Sequence, residues 1–380
     1  MLRGLNWGHR RAMGPMDGIA SLISAEIGTE LVWDQQTLGG FEHGLVASVA
    51  DRYDLVVFDH PFCGSIASEG LLTPLGRHLP DLNAGQFIGK SFESYWYKDE
   101  LWGLPIDGAT QAGVYRPDLL CELNPPDNWG GAIEIARALR RKNLCMGIPT
   151  LAPHGILALL ALCANLGHPW PQDQSEAPVD KQKLMHAVEM LSEACSLSHP
   201  ACAGMNAIDL HEAMCNSDTI AYCPITYFYL CYALPDYKNP LRFCPFPGTD
   251  GSPNGSVLGG TGLGITRSCK DVNSALKLLR YLSSRSVQVN FMLAGGQPAR
   301  SEPWTGMPED KPFASAHQIL KDTMTTAWMR PRFAGYIPWQ AEAGRLTERL
   351  VRKELNAKNF CDQLLASWEA IAPYKRMTPN

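Results

Sequence analysis

Along the first sixty residues the apolar positions switch between two periods. Leu2 to Trp7, Thr29 to Trp33 and Tyr53 to Phe58 are short runs rich in strand formers, while Ile19 to Ile27 and Leu45 to Asp51 carry helical spacing. The order βαβαβ predicts a mostly parallel sheet with helices on both faces. Turn residues follow each strand: Gly8-His9, Asp34-Gln35 and Asp59-His60-Pro61. In open α/β sheets ligands collect at such strand ends, so three polar clusters are expected along one edge. Further on, Leu101 to Tyr115 reads as two short strands meeting near Gly108, and Gly155 to Leu166 as a buried helix too short to span a bilayer. Leu184, Val188 and Leu191 form an i, i+4, i+7 face, and the Pro-rich stretch from Gly167 to Val179 is a surface loop. Strand signals return at Thr219 to Cys223 and Leu241 to Phe243, the tail from Ile337 to Ala372 reads as helical throughout, and no internal repeat is present.

The segment Gly259-Gly260-Thr261-Gly262-Leu263-Gly264-Ile265 superficially resembles a nucleotide loop. Its glycines are spaced GxGxG, and the next helix, with Val272, Ala275, Leu276, Leu279 and Leu282 on one face, begins several residues later. No helix N-terminus then sits where a pyrophosphate would bind, which argues against a dinucleotide site. Glycine at alternate positions instead strips one face of a strand of side chains, so that backbone or ligand can approach closely. The prediction is a hinge element or a binding wall, with Thr261 the side chain able to reach a ligand.

A chain of 380 residues exceeds one ordinary core, so two domains are expected. The formal charge of −5, with 33 basic against 38 acidic residues, argues against a nucleic-acid partner. The short basic face Arg137-Arg140-Arg141-Lys142 is read as solvated. The 12 cysteines lack CxxC spacing and several lie in apolar contexts, including Cys163, Cys223 and Cys231, so reduced buried thiols are expected instead of a disulfide framework. Residues 1–11 carry no signal-peptide pattern, which places the chain as given in the cytoplasm, or in the periplasm if its N-terminus has been trimmed. Without HxxxH, HxH, CxxC or GxSxG patterns, no metal, no other cofactor and no serine-hydrolase site is expected.

At Leu104-Pro105-Ile106-Asp107 leading to Tyr115-Arg116-Pro117-Asp118-Leu119-Leu120, at Gly260 to Ile265 with its helix, and at Val287-Gln288 through Gly295-Gly296-Gln297-Pro298, the chain resembles the extracellular solute-binding protein family 1, carbohydrate-type substrate-binding proteins of ABC transporters. A narrower resemblance, to a signal-less subgroup, rests on Val57-Phe58-Asp59-His60-Pro61, Ser91-Phe92-Glu93-Ser94-Tyr95, Ala221-Tyr222-Cys223-Pro224 and Trp328-Met329-Arg330-Pro331-Arg332. The resemblance implies a two-lobed α/β, type II periplasmic-binding-protein-like fold. Each lobe is then a mostly parallel sheet flanked by helices, and the lobes are discontinuous: 1–108 plus 262–315, and 109–261 plus 316–380. Hinge strands are implied near Asp107 to Gly113 and Leu258 to Gly262, with a third crossing within 300–328. It further implies a monomer that captures a small polar ligand, carbohydrate-like or carboxylate-bearing, by hinge closure, with an ABC permease as partner and no membrane insertion.

Candidate ligand-binding residues are Trp7, His9, Asp59, His60, Glu93, Asp107, Gln111, Tyr222, Thr226, Tyr227, Thr261, Trp328 and Arg330. Trp7 and His9 pair an aromatic face with a hydrogen-bonding ring, against the alternative of a Trp that only packs. Asp59 is suited to orienting His60, or to closing an Asx-turn before Pro61. Asp107, Thr110 and Gln111 offer hydroxyl-binding groups at a strand junction, and Arg330 offers a fork for a carboxylate. Gln297 is expected to cap the Gly-Gly turn before it. The subgroup's Trp-Asp-His-Pro-Arg stands here as Trp7-Gly8-His9-Arg10-Arg11, and this keeps open an enzyme on the same fold. Its acid/base candidates are His9, Asp59, His60 and Asp107, for metal-free lyase, isomerase or cyclase chemistry.

Overall fold

A computed structural model describes residues 1–44, 46–121, 123–305 and 314–371. The strands in chain order are β1 (Leu2–Trp7), β2 (Leu31–Gln36), β3 (Leu55–Phe58), β4 (Trp96–Tyr97), β5 (Glu100–Leu101), β6 (Leu104–Ala109), β7 (Gln111–Tyr115), β8 (Cys145–Met146), β9 (Ile220–Tyr227), β10 (Arg242–Cys244) and β11 (Gly259–Ile265). The chain divides into two compact units. One comprises 1–110, 229–234 and 258–325, and the other 111–228, 235–257 and 326–380.

The first unit is built on a five-stranded sheet of order β2-β1-β3-β11-β6. β1, β2 and β3 run parallel, as their alternation with helices requires, because a parallel neighbour needs a crossover. The crossover between β1 and β2 is the helix Arg10–Ile27, capped by His9 and closed by Gly28 at φ 70°. β11 is antiparallel to both β3 and β6, so the sheet is mixed. A strand returning from a distant part of the sequence has no crossover to fix its direction. The helical expectation for Leu45 to Asp51 is corrected to a single 3₁₀ turn at Val46–Ser48, the short helix Leu38–His43 lying before that span; Leu45 lies outside the described residues.

The glycine strand β11 shows what its missing side chains make room for. A Cβ on Gly262 would stand 2.4 Å from the ring of Tyr95, so this face is filled by the unit's own core. Gly260 has φ 109°, and a Cβ there would come within 2.4 Å of the Asp107 carbonyl oxygen. The helix that follows, Val272–Leu282, is capped by Asp271 well past the last strand glycine, which leaves no phosphate cradle.

The second unit carries a four-stranded sheet of order β10-β7-β9-β8. Only β8 and β9 are parallel; β10 with β7 and β7 with β9 are antiparallel. The mostly parallel sheet expected here is corrected to a mixed one, because β7 pairs with strands distant in sequence, whose direction is decided by long-range register and not by the local pattern. The apolar helix His154–Asn165 is buried along most of its length. The C-terminal tail is two helices, Tyr336–Val351 and Ala357–Glu369, separated at Arg352–Asn356 where Lys353 takes φ 62°; Ala372 lies outside the described residues. Arg116, 1% exposed, anchors this unit by donating to the carbonyls of Met214 and Ser217 and to Asp118 and Asp218. The described cysteines are all free thiols, most of them buried. Among the described residues no helix is long and apolar enough to cross a membrane.

Candidate functional site

Strand register in the first unit collects the polar strand ends on one edge. β1 and β3 run in the same direction and end at Trp7 and Phe58, so His9 and Asp59 emerge side by side in the topology. β11 pairs Gly262 with Phe58 and Thr261 with Asp107, which brings the end of β6 to the same edge. The Asp59 charge is felt at Asp107, where it opposes ionisation.

At the base of this edge lies a buried ion pair. Arg11, 4% exposed, donates Nε to Asp107 Oδ2 at 3.0 Å and Nη2 to Asp107 Oδ1. The fork is bidentate, the geometry that gives an Arg–carboxylate pair its directionality. Burial is the largest influence on Asp107 and pushes its carboxyl above the usual carboxylate range against the pull of Arg11. Burial also opposes the Arg11 charge, but the carboxylate outweighs it and keeps the guanidinium protonated. The guanidinium lies 4.7 Å from the centre of the Tyr229 ring and 5.7 Å from that of Trp7, both within cation–π range. A void of about 10 Å³, the room of roughly one water, borders Asn6, Arg11, Asp107, Thr261 and Phe291.

Above the pair, Trp7 and His9 are stacked, with ring centres 5.3 Å apart and planes within 4°. Trp7 is 3% exposed, hemmed by Phe41 and by the edge of Tyr229, so its indole supports the imidazole and offers little face of its own. His9 is half-buried. Its Nδ1 accepts from the Arg11 backbone N–H at 3.1 Å and caps the helix, while Nε2 stands 3.2 Å from the Tyr232 hydroxyl. The capping bond leaves Nε2 as the proton-bearing nitrogen of neutral His9, a donor on the unit's polar edge.

Asp59 caps the 3₁₀ turn His60–Phe62; it closes no Asx-turn, because Pro61 has no N–H to donate. Its Oδ1 accepts the His60 backbone N–H at 2.9 Å and lies 3.1 Å from His60 Nδ1. His60 has no exposed surface, whereas the Asp59 side chain is 14% exposed. Glu93 is exposed in a 3₁₀ turn, and Thr261 is buried opposite Asp107.

The remaining candidates belong to the second unit. Gln111 pairs with Tyr227 and Ala112 with Thr226 in the β7–β9 register, so Gln111 and Tyr227 share one face at this end of the sheet and Thr226 lies on the other. Gln111 Oε1 accepts from Val257 N at 3.2 Å, and Trp328 N donates to Ser256 O at 2.8 Å, which sets Trp328 and Arg330 beside that end. Arg330 is 3% exposed and donates to Gln340 at 3.3 Å. Tyr222 lies at the opposite end of β9, fully buried, and its hydroxyl has no hydrogen-bond partner among the described residues.

Three residues central to the first unit's edge, Arg11, Tyr229 and Tyr232, were not read from the sequence as site residues. A signal existed for each. Arginine in the first turn of a helix opposes the helix dipole, so Arg11 calls for a compensating acid, and Tyr227 to Tyr232 is a dense aromatic run. Gln297 does not cap the Gly-Gly turn; its Nε2 donates to Gly108 O and its Oε1 accepts from Leu230 N, both at 3.1 Å, tying segment 229–234 to the end of β6. Among the described residues no group of three His, Cys, Asp or Glu is placed to hold a metal ion.

No family model matches the sequence, and no curated protein matches it. Solved structures do. Maltose-bound MalE3 of T. maritima aligns with a TM-score of 0.84 at 16% identity over 97% of this chain and 98% of the other. An ABC transporter solute-binding protein of Thermotoga lettingae bound with α-D-tagatose aligns at 0.83 with 18% identity, over 97% and 99%. A solute-binding protein of Agrobacterium radiobacter K84 in complex with ribitol aligns at 0.82 with 15% identity, over 97% and 98%. The fold of this chain is therefore that of the ABC transporter solute-binding proteins, across 97% of its length.

Proposed function

We propose that this protein captures a small polyhydroxylated ligand, a sugar or a sugar alcohol, and delivers it to an ABC permease. The observation that carries this reading is the convergence of His9, Asp59 and Tyr232 on one sheet edge of the first unit, over the Arg11–Asp107 pair. A neutral ligand rich in hydroxyls needs donors and acceptors together, and His9 Nε2, the tyrosine hydroxyl and the Asp59 carboxylate supply both. Arg11 is unsuited to a carboxylate ligand, because both atoms of its fork are already taken by Asp107. Gln111, Tyr227 and Trp328 form a second set with the same chemistry, hydroxyl and amide groups beside an indole. Structures of this fold hold maltose, α-D-tagatose and ribitol, which supports the same ligand class here. The acid/base quartet of the enzyme alternative gains no support: Asp107 is locked to Arg11, His60 is buried on Asp59, and His9 is engaged as a helix cap.

Calorimetric titration with maltose, tagatose, ribitol, mannitol and succinate tests the proposal. Saturable heat with at least one polyol and none with succinate is expected. Asp59→Asn should weaken that binding about tenfold, by removing a charged acceptor. Saturable binding of succinate alone, or conversion of a bound polyol to product, would overturn it.

A further inference from the structure

The second unit holds a pocket of about 360 Å³ that the polyol reading does not use. It lies where three helices end: Arg140 in the last turn of Trp129–Arg141, Cys195 and Ser196 in the last turn of Lys181–Leu197, and Arg352 and Lys353 just past Tyr336–Val351. Its charged lining is entirely cationic, with His199, Ser198 and Thr150 adding polar groups and no carboxylate among the lining residues. Part of this charge has an ordinary purpose, since cations compensate the negative ends of helices, and Arg140 Nη2 donates to the Ser196 carbonyl at 2.6 Å. That purpose leaves much unaccounted for. Arg352 reaches only to 3.8 Å from Glu348, and Lys353 has no ion-pair partner among the described residues. His199 Nδ1 accepts from Ala201 N, so its proton sits on Nε2 and makes that nitrogen a donor. Thr150 is 1% exposed, lines the pocket, and its hydroxyl has no hydrogen-bond partner among the described residues.

We propose that this pocket is a second binding site, for a small phosphate-bearing molecule. Cations from two helix ends and an imidazole N–H, with no acidic neighbour in the lining, are the complement of a dianion. The volume exceeds what a bare phosphate fills and falls in the range of metabolite pockets. Ile148, Val351 and Ala203 supply apolar wall for the rest of such a molecule.

The test uses the full chain, with ³¹P line broadening and calorimetry against inorganic phosphate, glucose 6-phosphate and glucose. Saturable binding of glucose 6-phosphate, tighter than inorganic phosphate, is expected, with any glucose binding belonging to the first unit and unchanged by the double variant below. The double variant Arg352→Gln/Lys353→Gln, which changes only exposed side chains, should weaken glucose 6-phosphate binding at least about tenfold. Absence of saturable binding of either phosphate compound up to about 10 mM would overturn the proposal, as would binding unchanged in the double variant. Glucose 6-phosphate binding no more tightly than inorganic phosphate would overturn the larger ligand. Polyol binding at the first unit is read separately with maltose and ribitol and is unaffected by the double variant, so the two proposals fail independently.

Discussion

Replacing Asp107 by Asn leaves the Arg11 guanidinium buried without its counter-charge. The pair is almost fully enclosed, Arg11 at 4% and Asp107 at 5% exposure, so water cannot take over the role of the carboxylate. Breaking a buried ion pair from one side costs about 3–5 kcal/mol, far above the ~0–1 kcal/mol of an exposed pair. The cation–π contacts with Tyr229 and Trp7 persist in Asp107→Asn and temper the loss, which favours the lower half of that range. For a domain of roughly 150–250 residues each kcal/mol moves the melting temperature by about 2–4 °C, so a fall of about 6–15 °C is expected. Urea unfolding and thermal melting followed by circular dichroism would measure it. The double variant Arg11→Met/Asp107→Leu should recover most of the lost stability, because removing both charges also removes the desolvation that each imposes. A loss below about 1 kcal/mol in Asp107→Asn would refute the reasoning, and so would a double variant as unstable as the sum of the two single ones.

His317 lies buried against the edge of Trp304, and burial pulls its imidazole down from 6.5 to about 4. The unfolded chain therefore binds the proton first, so stability present above pH 6.5 is lost as pH falls toward 4 and levels off below it. The full window is worth about 3 kcal/mol, and His317→Phe should flatten that limb of a pH series of urea midpoints. Gly262→Ala drives a methyl into the Tyr95 ring and should cost about 1–3 kcal/mol, read as a lower urea midpoint at unchanged m-value; a neutral result would mean that the ring moves aside freely. His9→Ala removes the helix cap and the Tyr232 contact together and should lower stability by about 1 kcal/mol, while Asn at this position restores the cap without the ring, so that the stability and polyol-binding effects separate by calorimetry. Thiol labelling followed by mass spectrometry should modify exposed Cys121 first and leave Cys163 and Cys244 untouched in the native state, since burial pushes both thiols up to about 12.

What the sequence made legible, and what it hid, follows from the range over which each interaction acts. Strand and helix signals are local, so β1, β3, the buried helix His154–Asn165 and a break between two strands, read near Gly108 and found at Thr110, were readable from periodicity and turn chemistry. Strand direction in the second unit was not. The pattern of β7, β9 and β10 is equally good for parallel and antiparallel pairing, and only long-range register decides between them. The glycine strand shows the same limit at one residue: its bare face was visible in the spacing, but its occupant, Tyr95, lies more than 160 positions earlier in the chain. The polar ends at Gly8-His9 and Asp59-His60 were found because the α/β topology itself assigns strand ends to an edge, whereas Asp34-Gln35, read as a turn, lies within β2. Arg11 was missed because the residue that explains it, Asp107, lies on a strand 96 positions away; a first-turn arginine is a local conflict whose resolution is distant. Such conflicts mark where a chain depends on its tertiary structure, and the Lys353 turn beside the cationic pocket of the second unit is another, a lysine held at positive φ where glycine would be unstrained. By the same logic Lys353→Gly should relieve strain while removing the charge, leaving stability equal or higher and glucose 6-phosphate binding weaker, whereas a destabilised variant would mean that the lysine is held there by its packing and not by its charge.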